Sequence, residues 1–149
     1  MLATAPVGPG EGWLVLSPGW LSVPRDEHTW QHLPWHEVLR GGWQDADRQL
    51  HWTLVTGRHG AVQLAEPGRV PEVFRERVQA SIAFEQEVPL QSGDRTGTVV
   101  ISARRDLTGA SSELSWHTDL QRGLTWSTPG IREAADRVLE RLRSEYDPS

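Results

Sequence analysis

The stretch from residue 12 to residue 65 decides the fold: GWLVLSPGWLSVP (12–24), LPWHEVLRGGW (33–43) and QLHWTLVTGRHGAVQLA (49–65). Each piece is a short run of apolar, aromatic and β-branched residues. Turn formers separate them: Pro18-Gly19, the Asp45–Asp47 cluster, and Gly57 to Gly60. Runs of this length between Gly, Pro and Asp clusters predict consecutive antiparallel strands, about five across residues 12–65. Six of the eight tryptophans lie in this stretch.

Within it, residues 13–17 and 20–23 predict a hairpin around Pro18-Gly19. Leu14 and Leu16 share one face and Trp13 and Val15 the other. Residues 24–32 are polar and charged with prolines near both ends, which predicts a loop. Residues 35–43 resume strand character, and Gly41-Gly42 invites a bulge. Leu50, Trp52 and Leu54 alternate with His51, Thr53 and Val55, a period of two.

Downstream, Pro71-Glu72 reads as a first helical turn, with Val70, Phe74, Val78 and Ala80 as an apolar stripe over residues 70–80. Period-two alternation returns from Ile82, with Pro89 fitting an edge or strand end. Residues 98–104 predict a strand that pairs with residues 113–118. The last element is an amphipathic helix. Thr128 is its predicted N-cap, Pro129 its first residue and Asp147-Pro148 its stop. Ile131, Ala134, Ala135, Val138, Leu139, Leu142 and Tyr146 share its apolar face.

Composition bounds the function. A chain of 149 residues reads as one domain burying roughly 70% of its unfolded surface. With no cysteine, disulfides, thiolate chemistry and Cys-based metal sites are excluded. All 15 basic residues are arginine, so Schiff-base and phosphate-loop lysines are unavailable. A net charge of −5 argues against nucleic acid or an anionic membrane as the dominant partner. Residues 1–10 lack the basic start and apolar run of a signal peptide and predict a flexible lead-in. Nothing approaches ~18 consecutive apolar residues, so no stable membrane insertion is expected and a cytoplasmic location is the default.

A meander of about seven to eight short strands closed by one terminal amphipathic helix resembles the pleckstrin-homology-like (PH-like) roll. The opening GWLVLSPGWLSVP followed by LPWHEV is similar to the start of bacterial PH-like and GRAM-like domains, where a hairpin of the form x-L-x-L-T-x-x-R-L precedes an I-P-W-x-x-I strand. ERVQASIAFEQEVPL and IREAADRVLERL also resemble a group of small proteins of high-GC bacteria. The resemblance implies an α+β fold: an antiparallel PH-like barrel or roll with an inserted short helix and a C-terminal amphipathic helix. It makes residues 11–149 a single PH-like domain. It carries over no ligand residues, because these domains share a scaffold and not a site.

Of the chemical constellations, His28, His32 and His36 are spaced four apart, which on one continuous helix would align them as metal ligands. Pro34 interrupts that helix, so loop and strand-start histidines are the simpler reading, with no metal. No Gly-x-Ser-x-Gly elbow exists for a Ser-His-Asp site. Gly8 to Gly12 (GPGEG) precedes a strand and not a helix, so it is no phosphate loop. Glu85 and Glu87 read as a solvated face with edge-protecting charge. No cofactor is implied. Two features point to binding. Arg104-Arg105, with Arg75, Arg77 and Arg95, could gather on an anion. Trp20, Trp30 and Trp43 lie in or near turns, in a chain with more indole than one small core holds, while Trp52 and Trp116 read as core. The sequence therefore predicts a non-catalytic PH-like module for a protein partner or self-association, a homodimer included. The alternative is a small-ligand or hydrolytic domain using His28, His32 and His36, and a lipid-headgroup reader is third.

Overall fold

The first hairpin strand buries alternate residues, as its composition requires, and the second buries three in succession. In β2 (Trp13–Leu16) and β3 (Trp20–Pro24), Leu14, Leu16 and Leu21 are fully buried while Trp13 and Trp20 are exposed. The computed structural model describes residues 1–8, 12–26 and 28–146, and its contacts divide into two compact units. The first comprises Met1–Ser81 and Arg105–Glu113, the second Ile82–Arg104 and Leu114–Ser149.

In the first unit, β1 (Ala3–Pro6), β2, β3 and β4 (Trp30–Pro34) form a four-stranded antiparallel sheet in chain order. A 3₁₀ turn over Trp35–Glu37 leads into a second antiparallel sheet of β5 (Val38–Gln44), β6 (Gln49–Leu54) and β7 (His59–Gln63). Helix α1 (Val70–Ser81) buries Val70, Val73 and Phe74. Phe74 meets the fully buried Trp35 edge to face, with centroids 5.7 Å apart. Both sheets and the helix share one core, in which Leu50, Trp52 and Leu64 are also enclosed. Gly60 permits this packing: a Cβ there would lie 2.3 Å from the Trp52 Nε1.

In the second unit, β8 (Ile82–Ser92), β9 (Arg95–Arg104) and β10 (Ser115–Gln121) form an antiparallel sheet with β9 central. A tight turn joins β8 to β9, with Gly93 at φ 59°. Pro89 lies on the edge strand β8, where its missing N–H breaks no shared ladder. Helix α2 (Ile131–Tyr146) seals Ile131, Ala135 and Leu142 against Leu90, Val99, Ile101 and Leu124. Trp116 joins this cluster, with Phe84 and Tyr146 beside it.

The class is thus α+β, with antiparallel sheets, an inner helix and a terminal amphipathic helix. Several finer expectations are corrected. The described residues hold ten strands in three sheets, more than the seven to eight anticipated, and no closed barrel. Residues 12–65 contain six strands, one more than predicted. Ala3–Pro6, in the stretch read as a lead-in, is paired to β2, and residues 9 and 10 lie outside the described ones. The predicted loop at 24–32 contains most of β4. Its prolines misled because both close strands, Pro24 ending β3 and Pro34 ending β4, where a missing donor is tolerated. Residues 35–37 are a 3₁₀ turn and not strand. The bulge falls between Val38 and Arg40, ahead of the glycines. Helix α2 begins at Ile131 and not at Pro129, because Gly130 adopts φ 79°, outside the helical region. The predicted stop at Asp147-Pro148 lies outside the described residues.

Candidate functional site

The outer face of the first sheet gathers most of the exposed indole. Strand alternation sends Leu14, Leu16, Leu21, Val23 and Leu33 inward, so the residues between them must point out. On β2 these are Trp13 and Val15; on β3, Trp20, Ser22 and Pro24; on β4, Trp30, His32 and Pro34. Trp13 is 54% exposed, Trp30 47% and Trp20 39%. No outward position on these strands or on β1 is Asp, Glu or Arg.

His32 organises two of the indoles. Its ring is parallel to Trp30, 3° between planes with centroids 6.2 Å apart. Trp20 stands at 78° to it, with centroids 6.4 Å apart. The His32 Nδ1 lies 2.7 Å from the Ser22 Oγ, its cross-strand partner. The three rings therefore make one cluster, a stacked pair with a third ring set edge to face against His32. Each exposed indole is also paired across the ladder with a proline: Trp13 with Pro6, Trp20 with Pro34, Trp30 with Pro24.

Trp20 and Trp30 of the sequence-predicted residues thus come together. Trp43 does not join them. It sits on β5, half-buried against the core, with its Nε1 3.3 Å from the Asp45 Oδ1 and the Arg48 guanidinium over its ring at 5.7 Å. Trp13 and His32 complete the face; the sequence reading names His32 only with His28 and His36, for a ligand or hydrolytic site, and does not single out Trp13 for binding. The signal for Trp13 was present in the sequence, since Leu14 and Leu16 turned inward oblige Trp13 outward.

The predicted arginine cluster has members in both compact units, Arg75, Arg77 and Arg105 in the first and Arg95 and Arg104 in the second. Arg104 is 2% exposed. Its burial pulls its pKa down against the opposing pull of Glu85 and Asp119, which marks it as an interior charge of the second unit. Arg105 belongs to the first unit, where its guanidinium donates to the Ala80 carbonyl at 3.3 Å. Arg77 is paired with Glu76 and donates to the Pro18 carbonyl.

The histidines do not converge. His28 follows β3 in a turn whose amide donates to the Asp26 carboxylate, and this bond is the largest influence lowering the Asp26 pKa. His32 faces outward. His36, in the 3₁₀ turn, has its Nδ1 3.7 Å from the Asp106 Oδ1, longer than a hydrogen bond. Among the described residues no group of three or more His, Cys, Asp or Glu side chains is placed to hold a metal ion. An open depression in the second unit, lined by Ser92, Asp94, Arg95, Thr125, Ser127 and Thr128, has hydroxyls bonded to one another. Among the described residues no helix is long and apolar enough to cross a membrane.

No family model, curated protein or solved structure matches the chain. Function is therefore argued from the site alone.

Proposed function

We propose that the chain is a non-catalytic binding module that engages a protein partner or a second copy of itself through the outer face of the β1–β4 sheet. The observation that carries this reading is the placement of Trp13, Trp20 and Trp30, all exposed, on one sheet face without a carboxylate or guanidinium. Indole left in water is costly over a contiguous area, and Trp is the residue most enriched at binding hot spots. The order of meander then terminal helix supports a PH-like scaffold, although three open sheets depart from its barrel. The dispersal of His28, His32 and His36 supports binding over hydrolysis. The burial of Arg104 weighs against a lipid-headgroup site.

The test is a comparison of wild type with Trp20→Ala and Trp30→Ala in light scattering and in capture of partners from native lysate. Each variant should keep the fold while association weakens by about 2 kcal/mol, roughly thirtyfold. Partners or oligomers retained equally by the variants would remove this face from the function.

A further inference from the structure

Resting on that reading of the face, we infer that its occupant is a proline-rich segment in the polyproline II conformation. Charge narrows the partner first. With no Asp, Glu or Arg at the outward positions of β1–β4, the face has nothing to neutralise phosphates or to pair with a charged peptide. Its complement is an uncharged chain.

Hydrogen-bonding capacity narrows it further. Among the described residues, the indole N–H groups of Trp13, Trp20 and Trp30 meet no acceptor, whereas those of Trp35 and Trp43 bond to the Ser17 carbonyl and the Asp45 carboxylate. Ser22 and the His32 Nδ1 satisfy one another. The face thus presents several donors, with one of its few acceptors already engaged. A second copy of the chain would set donors against donors. A glycan, whose hydroxyls both donate and accept, would find few polar side chains to answer them. A polyproline II helix supplies the complement: it has no internal hydrogen bonds, its carbonyls point outward, and its prolines carry no N–H.

Shape agrees with this chemistry. The Trp30 and His32 rings are stacked and Trp20 stands at 78° to His32, an exposed aromatic cluster of the kind that pyrrolidine rings pack against in proline-rich recognition. Indole beside pyrrolidine is moreover the pairing this sheet already uses, at Trp13–Pro6, Trp20–Pro34 and Trp30–Pro24.

The experiment titrates the full chain with a decaproline peptide, following the indole N–H resonances by NMR, with a glycine-serine peptide of equal length as control. Decaproline should shift the Trp13, Trp20 and Trp30 resonances saturably and leave those of Trp35 and Trp52 in place, and the control should shift none. Trp30→Ala should weaken the interaction about tenfold or more. Trp30→Phe, which keeps a ring and loses the donor, should weaken it less. Unshifted face resonances at millimolar decaproline, or equal binding by Trp30→Ala, overturn the proposal. If decaproline fails while Trp20→Ala and Trp30→Ala still abolish a measured self-association, the proline-rich partner is wrong and the face remains the interface. If decaproline fails and those variants change no association, the interface falls with it.

Discussion

Trp30 and His32 stack with their planes 3° apart and their centroids separated by 6.2 Å, while the His32 Nδ1 lies 2.7 Å from the Ser22 Oγ behind it. One imidazole thus ties an exposed indole to the hydroxyl of Ser22, a residue that is 8% exposed. His32→Ala removes an exposed aromatic contact and one part-buried hydrogen bond, together costing about 1–2 kcal/mol. The variant should show a modest drop in urea midpoint and stronger acrylamide quenching of tryptophan fluorescence. A drop as large as that of Leu33→Ala, which empties a core site, would mean His32 supports the sheet itself.

A Cβ on Gly60 would lie 2.3 Å from the Nε1 of Trp52, a ring that is 2% exposed. The indole is enclosed and cannot swing aside without disturbing Leu50 and Leu64 in the same core. Gly60→Ala should therefore cost about 1–3 kcal/mol through overpacking. Gly42→Ala, where nothing lies within 4 Å of the added carbon, is the matched control. Equal melting temperatures for the two variants would show that β7 yields freely.

Leu142 is 4% exposed on α2, and its neighbour Arg141 is solvent-facing. Leu142→Ala should lose about 2–5 kcal/mol and Arg141→Ala no more than about 0.5. Hydrogen exchange should report the loss chiefly in α2 and β8–β10. Matching urea midpoints would mean the helix does not depend on its buried stripe.

The Asp106 carboxylate accepts from the Thr108 hydroxyl and from the Thr108 amide at 2.8 Å, with His36 nearby. The Thr108 bonds, the hydroxyl first, hold its pKa below the ordinary 3.8. A carboxylate depressed on folding contributes stability that is complete above its unfolded pKa and lost as pH falls through the folded value. Wild type should therefore lose stability as pH falls below the ordinary carboxylate range more steeply than Asp106→Asn. Thermal melts over that fall decide it, and parallel curves would remove Asp106 from the acid response.

The amino-acid sequence by itself determined the strands whose faces differ in polarity and the helices whose stripes repeat. Leu50-Trp52, the β9–β10 pairing and the face Ile131–Leu142 were legible because alternation and helical period are local properties. So was the excess of indole. What tertiary structure decided is where strands end and which side chains meet. Pro24 and Pro34 read locally as loop signals, yet each closes a strand, because a missing donor is harmless at a strand terminus. Arg104 and Arg105 are adjacent in sequence, but Arg104 closes a run of four buried residues at the end of β9 and Arg105 is exposed, where the chain passes to the other compact unit. Trp20 and Trp30 are ten positions apart and share a face only through the antiparallel register that sets Ser22 opposite His32. That register arises from inward leucines on three strands seeking one core, a long-range energy that no single stretch of sequence displays.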